Sequence, residues 1–307
     1  MRAARIAELG SPPEPAEIDG GGAIEIAAVA LNPLDLAVGA GRFYGGHPPL
    51  PYVPGAEAVG RLEGKRVYLF GEGYGTRRDG LLCERTDFPV ERVVPVPDEL
   101  DDAKAAATGI VGVAAWVPLA RLAPVRRGDR VLVLGATGLV GTVAVQVARL
   151  LGAERVVAAG RDETKLALLS ELGADATVTL AAGDELSARM REACGGDGPT
   201  IVFDPIWGEP ACAAIDAAAP RARLVNLGQS AGPDATITSA AVRGKQLTIT
   251  GHANVAMAPD DRRAAYEEVA AHVAAGRIRI DFDTFPLDRV AEAWAAQEAG
   301  RKAVVLL

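Results

Sequence analysis

The sequence of 307 residues has little cysteine, histidine or aromatic residue, and this narrows the classes of protein to which it can belong. It contains three cysteines, three histidines and 5% aromatic residues. The cysteines, Cys83, Cys194 and Cys212, are far apart and form no C-x-x-C pair, which argues against both a disulfide framework and a thiolate zinc site. The histidines form no H-E-x-x-H motif. We therefore expect no metal site.

The sequence also lacks an excess of positive charge. Its 32 Lys+Arg and 40 Asp+Glu give a net charge of −8, whereas a protein that binds nucleic acid needs a basic face. No uninterrupted apolar run reaches the roughly 18 residues of a membrane span. The N-terminal residues lead into Glu8, Glu14 and Glu17 instead of an apolar signal core. These absences predict a cytoplasmic protein that binds neither nucleic acid nor a membrane.

The middle of the chain alternates short apolar runs with stretches of helical periodicity. Residues 130–134 are typical of a buried parallel strand, and residues 138–151 place apolar side chains on one helical face. A second strand at 155–159 precedes a helix predicted from Asp162 to Leu172. Further strands are predicted at 176–180, 200–204, 222–227 and 246–250. Strands with helical crossovers of this kind predict a doubly wound parallel sheet.

The two ends of the chain have a different pattern. The first 115 residues hold most of the prolines and show weak helical periodicity, which is typical of a β-rich, irregular domain. Near the C-terminus, helical stretches at 260–275 and 288–299 precede a final apolar strand at 303–307. We expect a terminal strand this apolar to pair with another strand.

A glycine-rich loop follows the first strand of the middle region. The loop consists of Gly135, Ala136, Thr137, Gly138, Leu139, Val140 and Gly141. Glycines at such a turn let backbone N–H groups approach a pyrophosphate, which the N-terminus of the following helix also attracts. The strict G-x-G-x-x-G pattern is not met, because Ala136 occupies the first glycine position. Since a strand precedes the loop and a helix follows it, we predict that the loop binds a dinucleotide.

The end of the second strand indicates which dinucleotide is bound. An NAD-preferring site places Asp or Glu there to bind the ribose hydroxyls, whereas this chain has Gly160 followed by Arg161. Gly160 leaves room for a 2′-phosphate, Arg161 can pair with it, and Lys165 lies one helical turn further on. NADPH is therefore favoured over NADH as the cofactor. At the end of the fifth strand, the residues expected to approach the nicotinamide are Asn226, Leu227 and Gly228.

Several motifs extend over nearly the whole chain. They are LNPLD at 31–35, LPYVPGAE at 50–57, the A-x-G-x-x-G loop at 136–141 and the closing FPLD at 285–288. Together these motifs resemble the medium-chain dehydrogenase/reductase superfamily, specifically its zinc-free quinone oxidoreductase branch, the branch of zeta-crystallin.

This resemblance implies an α/β protein of two domains. Residues 1–115 and 253–307 would form a GroES-like, partly open β-barrel that serves as the catalytic domain, and residues 116–252 a doubly wound Rossmann domain that binds NADPH. The resemblance also implies a homodimer. The zinc-dependent relatives carry a G-H-E triplet where this chain has Gly55-Ala56-Glu57, so we expect no zinc.

The absence of a metal limits the substrates that are expected. Reduction of a simple ketone builds alkoxide charge that needs a Lewis acid or a strong donor. A quinone spreads the charge over an aromatic ring, and an activated enone spreads it into an enolate. We predict zinc-independent transfer of hydride from NADPH to a quinone. Two alternatives stay open, which are reduction of activated enones (2-alkenal or enoyl type) and a redox sensor that binds NADPH without turnover.

The candidate catalytic residues come from the N-terminal motifs. Asn32 and Asp35 are expected to line the substrate site, and Tyr44 and Tyr52 are the best-placed hydroxyl donors. A quinone reductase should tolerate loss of either tyrosine hydroxyl, whereas an enone reductase would use one as its proton donor.

Other features are weaker as evidence of function. Residues 228–232 (GQSAG) match a G-x-S-x-G nucleophile elbow, but Pro233 and an extended pattern follow instead of a helix. No lysine has a tyrosine four residues before it, as the short-chain dehydrogenases require. His252 and Asn254 follow the sixth strand, where a surface loop is a simpler interpretation than a place beside the substrate.

Overall fold

The computed structural model describes residues 1–181 and 185–307, and the chain divides into two compact units. The first unit comprises Met1–Val111, Met257–Gly276 and Ile280–Leu307, and the second comprises Gly112–Ala256 and Arg277–Arg279. The chain crosses between units after residues 111, 256, 276 and 279, whereas the predicted domains had crossings after 115 and 252. A single helix is continuous through the first crossing, so no turn or loop marks that crossing in the sequence.

The described residues form fifteen strands and nine α-helices. The strands are β1 (Arg2–Arg5), β2 (Glu14–Glu17), β3 (Ile24–Ala30), β4 (Glu57–Leu62), β5 (Lys65–Phe70), β6 (Arg85–Thr86), β7 (Val94–Pro95), β8 (Arg130–Val133), β9 (Arg155–Gly160), β10 (Ala176–Thr179), β11 (Ile201–Asp204), β12 (Arg223–Asn226), β13 (Thr248–Gly251), β14 (Asp283–Pro286) and β15 (Ala303–Leu306). The helices are α1 (Pro33–Gly39), α2 (Asp102–Val117), α3 (Leu139–Leu150), α4 (Glu163–Leu168), α5 (Leu186–Ala193), α6 (Gly208–Ala217), α7 (Ser239–Lys245), α8 (Pro259–Ala274) and α9 (Val290–Glu298).

The second unit contains a six-stranded sheet in which all strands are parallel. The strand order is β10-β9-β8-β11-β12-β13. The chain starts at the centre with β8, moves outward to β10, returns to β11 and moves outward again, which is the doubly wound order. All four residues of β11 are buried, as expected for a strand covered on both faces. The doubly wound sheet predicted from the sequence is confirmed.

Several predicted elements have different bounds in the structure, and two of these differences have a clear physical cause. The helix predicted from Asp162 to Leu172 ends at Leu168, because the following backbone hydrogen bonds, such as Leu172 N to Leu169 O, close tighter three-residue turns. The sixth strand begins at Thr248 and not at residue 246. Gln246 adopts a left-handed conformation (φ 53°) that ends α7 before the strand starts.

The first unit is built on a mixed sheet that joins both ends of the chain. The strand order is β14-β15-β3-β4-β5-β7, with β6 on β3, and the order does not close on itself. Strand β15 pairs antiparallel with β3 and parallel with β14, which confirms that the apolar C-terminal strand pairs with another strand. The predicted α/β class, a β-rich GroES-like domain with a doubly wound Rossmann domain, is confirmed.

One helical stretch, Asp102–Leu122, is long and apolar enough to cross a membrane by length and composition alone. Within the structure, 78% of its apolar window is buried. A core helix of a folded protein passes the same test, so this stretch is weak evidence for a membrane span. Uninterrupted apolar runs do not reveal it, because Lys104 and Thr108 lie within it.

A buried ion pair connects the C-terminal strand to the rest of the first unit. The Nζ atom of Lys302 lies 3.2 Å from Oε1 of Glu57, and both side chains are 0% exposed. The ammonium also donates to the carbonyl oxygen of Leu31 at 3.0 Å and to Oδ1 of Asn32 at 2.7 Å. Burial lowers the pKa of Lys302, and Glu57 opposes that shift. All three ammonium protons have acceptors, as a buried charge requires.

The carboxylate of Glu57 accepts hydrogen bonds from several segments of the first unit. Oε1 accepts from Nδ2 of Asn32 at 2.8 Å in addition to Lys302. Oε2 accepts from the hydroxyl of Tyr68 at 2.7 Å and from the backbone N–H of Ile110 at 2.6 Å. Each lone pair therefore has a donor, which offsets much of the penalty for removing the charge from water.

Asp35 extends this polar network at the start of α1. Its Oδ2 accepts from the backbone N–H of Asn32 at 2.8 Å, and its Oδ1 accepts from that of Ala56 at 2.9 Å. The first of these bonds caps α1 at its N-terminus. Pro33, in the first turn of α1, also favours a helix start there. Burial raises the pKa of Asp35 to about 6, although both backbone bonds act in the opposite direction.

Substitution of Lys302 tests the buried pair. Lys302→Ala leaves Glu57 buried without its counter-charge, so we expect the free energy of unfolding to fall by about 3–5 kcal/mol. The neighbouring Arg301 pairs with Asp283 at the surface, where its side chain is 61% exposed. Arg301→Ala is therefore the control and should change stability by about 1 kcal/mol or less. Urea unfolding followed by circular dichroism measures both, and equal losses would contradict the special role of the buried pair.

The pKa of Asp35 predicts a pH dependence of stability. Its folded value of about 6 lies above the usual 3.8, so the folded protein binds more protons than the unfolded chain between these values. The contribution of Asp35 to the free energy of unfolding therefore falls by about 3 kcal/mol as the pH rises from about 4 to about 6. We expect the difference in unfolding free energy between the wild type and Asp35→Asn to be largest at pH 4 and to shrink toward pH 7. Parallel pH profiles of the two proteins would contradict the raised pKa.

Candidate dinucleotide site

The loop between β8 and α3 turns so tightly that two positions require glycine. Gly135 has a φ of +59°, which favours glycine. A Cβ on Gly141 would lie 2.3 Å from the carbonyl oxygen of Gly135. The N–H of Ala136 donates to the carbonyl oxygen of Ala159, and that of Gly138 donates to Gly135. These contacts hold the loop at the carboxyl end of β8 and beside β9.

The N-terminus of α3 is open to an anion. Its N-cap residue is Gly138, which provides no side-chain hydrogen bond. The first N–H groups of a helix have no acceptor within the helix, and the helix dipole adds partial positive charge there. The residues at this end of the helix, Leu139, Val140 and Gly141, therefore present backbone donors where a pyrophosphate needs them. The tight glycine turn and the uncapped helix together fit a dinucleotide.

The end of β9 lies directly against this loop. A Cβ on Gly160 would lie 2.8 Å from Cγ2 of Thr137, so the strand end and the loop are in close contact. Arg161 is exposed and forms no ion pair with residues 1–181 or 185–307. The carboxylate of Asp162 caps α4 by accepting from the backbone N–H of Lys165 at 3.0 Å, and it lies 4.0 Å from the Nζ of Lys165. The cation of Arg161 is thus available to a ligand, and Asp162 is engaged elsewhere.

The loops after β11 and β12 bind each other at the same edge of the sheet. Nδ2 of Asn226 donates to Oδ2 of Asp204 at 3.1 Å and to the carbonyl oxygen of Gly228 at 2.8 Å. The N–H of Leu227 donates to the carbonyl oxygen of Asp204 at 2.9 Å. A Cβ on Gly228 would lie 2.3 Å from the carbonyl oxygen of Pro205. All the predicted cofactor residues therefore lie in the second unit, at strand ends or at the N-terminal turns of α3 and α4.

The predicted catalytic residues lie in the first unit in different environments. Asn32 and Asp35 are 0% and 1% exposed and belong to the buried network around Glu57. Their contacts are with this network, and their place beside a substrate stays a prediction. Sequence patterns do not reveal Glu57 and Lys302 as members of this network, because 245 positions separate them.

The two tyrosines differ in accessibility. Tyr44 is 82% exposed, and its ring lies 4.5 Å from that of Phe43 between centroids. Tyr52 is 1% exposed, and its hydroxyl has no hydrogen-bond partner in the described part of the chain. Burial raises the pKa of Tyr52, and Asp35 raises it further. Only the Tyr44 hydroxyl is accessible to a substrate in this structure.

The side chains that commonly bind metals are dispersed. Within residues 1–181 and 185–307 no three His, Cys, Asp or Glu side chains form a group that could hold a metal ion. Cys83 and Cys194 are buried, and burial raises the pKa of their thiols to about 11 and about 12. The elbow-like residues 228–232 are followed by no helix until Ser239, so the arrangement that a nucleophile elbow requires is missing there.

Comparisons with known proteins agree with this architecture. A family model described as zinc-binding dehydrogenase matches residues 140–274. One component of the phenolphthiocerol/phthiocerol polyketide synthase of Mycobacterium tuberculosis is 28% identical over 302 residues, which cover 91% of this chain and 13% of that protein. The quinone oxidoreductase of Pseudomonas aeruginosa is 28% identical over 284 residues, covering 89% of this chain and 86% of that one.

A solved structure extends the similarity to the whole chain. The quinone oxidoreductase of Thermus thermophilus has a TM-score of 0.81 and 29% sequence identity, and the match covers 100% of both chains. This chain thus spans a small part of the synthase component and most or all of the two quinone oxidoreductases. From the doubly wound sheet, the glycine loop and these similarities, we conclude that the chain belongs to the medium-chain dehydrogenase/reductase superfamily of oxidoreductases, in its quinone oxidoreductase branch.

Proposed function

We propose that this chain is an NADPH-dependent oxidoreductase that transfers hydride to a quinone without a metal. The observation that carries the proposal is Arg161, which is exposed at the end of β9 and has no ion-pair partner among the described residues. It lies beside a glycine loop that leads into a helix whose N-cap, Gly138, provides no side-chain hydrogen bond. That combination suits a dinucleotide with a 2′-phosphate. The Thermus thermophilus relative is described in complex with NADPH, which supports the choice of nucleotide.

Each part of the nucleotide has candidate partners in the second unit. The backbone donors at the N-terminus of α3 would hold the pyrophosphate. Arg161 and Lys165 would bind the 2′-phosphate through charge-assisted hydrogen bonds. The segment from Asn226 to Gly228 would border the nicotinamide, since it follows a strand in the other half of the sheet. When bound, NADPH supplies a hydride from its nicotinamide ring.

The acceptor is proposed from the chemistry that the chain can support. Quinone reduction delocalises the new negative charge, so it needs less electrophilic assistance than reduction of a ketone. No three potential metal ligands lie together within the described ranges, and Ala56 precedes Glu57 where zinc-dependent relatives have histidine. The names of the Pseudomonas and Thermus relatives support the same substrate class.

A second candidate is the reduction of activated enones. The observation that favours it is the exposed hydroxyl of Tyr44, because such a reaction needs a proton donor for the enolate that forms. The two candidates therefore differ in whether the phenol of Tyr44 is required.

We also propose that the chain forms a homodimer through the edge of the parallel sheet. Among the described strands, β13 pairs with β12 alone, and Ile249 on β13 is 39% exposed. An unpaired edge strand with an exposed apolar residue favours pairing with a second copy related by two-fold symmetry. The cytoplasmic location stays a prediction from composition.

Arg161→Ala tests the choice of nucleotide. Loss of a charge-assisted bond should weaken NADPH binding roughly tenfold or more and leave NADH binding unchanged, because NADH lacks the 2′-phosphate. Arg127→Ala, at another exposed arginine of the second unit, is the matched control and should change neither affinity. Titration followed by nicotinamide fluorescence measures the affinity of each variant and of the wild type for NADPH and for NADH. Wild-type protein that binds NADH as tightly as NADPH would refute the role of Arg161.

Turnover assays test the choice of acceptor. With NADPH present, we expect 1,4-benzoquinone to cause rapid loss of absorbance at the nicotinamide band, with Tyr44→Phe close to wild type. If an activated enone is the substrate, Tyr44→Phe should slow its reduction roughly 10²-fold or more. Tyr52→Phe removes a buried hydroxyl that has no hydrogen-bond partner in the part of the chain that the structure describes, so it should not lower stability. NADPH binding without oxidation by either acceptor would contradict the proposed activity and indicate a sensor.

A further inference from the structure

Polar side chains occur at the carboxyl ends of three neighbouring strands in the second unit. Asp204 ends β11, Asn226 ends β12 and His252 directly follows β13. The backbone N–H of His252 donates to the carbonyl oxygen of Asn226 at 2.8 Å, which extends the pairing of β12 and β13 to His252. In a doubly wound sheet each half binds one nucleotide of a dinucleotide outside these strand ends. The glycine loop follows β8, so strands β11 to β13 form the nicotinamide half.

Two of these side chains are used within the protein. The carboxylate of Asp204 accepts from the backbone N–H groups of Ile206 and Trp207 at 3.0 and 2.8 Å and from the amide of Asn226. The amide nitrogen of Asn226 also donates to Gly228. Both side chains therefore fix the loops after β11 and β12, because the carboxylate of Asp204 already accepts from three donors and the amide nitrogen of Asn226 already donates.

The contact with Asn254 favours one tautomer of His252, and the other ring nitrogen has no partner among the described residues. Its Nε2 lies 2.8 Å from Oδ1 of Asn254. A carbonyl oxygen can only accept, so with the Asn254 amide in this orientation Nε2 carries the proton and Nδ1 is an acceptor. Nδ1 has no hydrogen-bond donor among the residues that the structure describes. Burial lowers the pKa of His252 more than the contact with Asn254 raises it, which favours the neutral ring.

We propose that Nδ1 of His252 accepts a hydrogen bond from the carboxamide NH2 of the nicotinamide ring. The carboxamide is the group of this ring that carries N–H donors, and a neutral imidazole with its proton fixed on Nε2 is complementary to it. Asn254 is a positioning residue, because it acts through the tautomer of His252. The bond would restrict rotation of the carboxamide and of the ring that bears it. This inference rests on the proposed binding of NADPH at the edge of the sheet.

A nucleotide that lacks the carboxamide NH2 tests the proposed hydrogen bond to His252 separately from other effects of a substitution on nucleotide binding. The 3-acetylpyridine analogue of NADP⁺ replaces the carboxamide NH2 with a methyl group and keeps the carbonyl. Wild-type protein should bind NADP⁺ roughly 3- to 10-fold more tightly than the analogue, which is the range of a single hydrogen bond. His252→Ala should bind the two ligands equally, while its affinity for 2′-phospho-ADP-ribose, which lacks the ring, stays at the wild-type value. Isothermal titration calorimetry measures each affinity.

Two further variants define the contact. His252→Gln restores an acceptor and should recover part of the preference for NADP⁺. Val255→Ala, at a residue that is 39% exposed in the same loop, is the matched control and should keep the full preference. A structural role for His252 would instead weaken all three ligands by the same factor.

The outcomes separate this inference from the proposed function. If wild-type protein binds no nucleotide, both the proposed function and the proposed role of His252 are wrong. If wild-type protein binds NADP⁺ but His252→Ala keeps the preference over the analogue, or weakens every ligand equally, only the role of His252 is wrong. Loss of the preference alone, with unchanged binding of 2′-phospho-ADP-ribose, supports the proposed contact.

Discussion

The burial of the Lys302 ammonium against Glu57 is the constraint on which the first unit depends. A charge in the interior is tolerated only when each of its polar atoms has a partner. Lys302 therefore fixes β15 against the end of β3, and Glu57 fixes β4 against β5 and α2 through Tyr68 and Ile110. One carboxylate thus sets the relative positions of segments from both ends of the chain, in a unit whose sheet does not close on itself.

The second unit is organised by a different constraint, which is the absence of side chains at close approaches. A Cβ on Gly160 or Gly228 would lie within 3 Å of an atom in a neighbouring loop, and a Cβ on Gly141 would lie as close to the start of its own loop. These glycines bring the turn after β8, the end of β9 and the loops after β11 and β12 into direct contact. The first backbone N–H groups of α3 follow this turn, and they suit a ligand with phosphates.

The parts of the fold that could be predicted are those that local sequence determines. The strands of the parallel sheet and helix α3 follow from apolar runs and spacing within about ten residues, so their positions were predicted within a few residues. The network around Glu57 could not be predicted, since Lys302 and Glu57 are each ordinary charged residues until the fold brings them together. The same limit explains Asn32 and Asp35. Their motif resembles one from a family of enzymes, but their burial depends on partners distant in sequence.

The polar groups described above differ between the two units in whether they have partners, and this difference supports the proposed function. In the first unit the charges of Glu57 and Lys302 have partners, and the hydroxyl of Tyr52, which has no partner among the described residues, is buried away from solvent. In the second unit, groups without a partner in the described ranges lie at the edge of the sheet, at the N-terminus of α3, at Arg161 and at Nδ1 of His252. A fold gains nothing from leaving donors and acceptors unpaired in this ordered arrangement. Their common position at the carboxyl ends of parallel strands is where a dinucleotide would complete them.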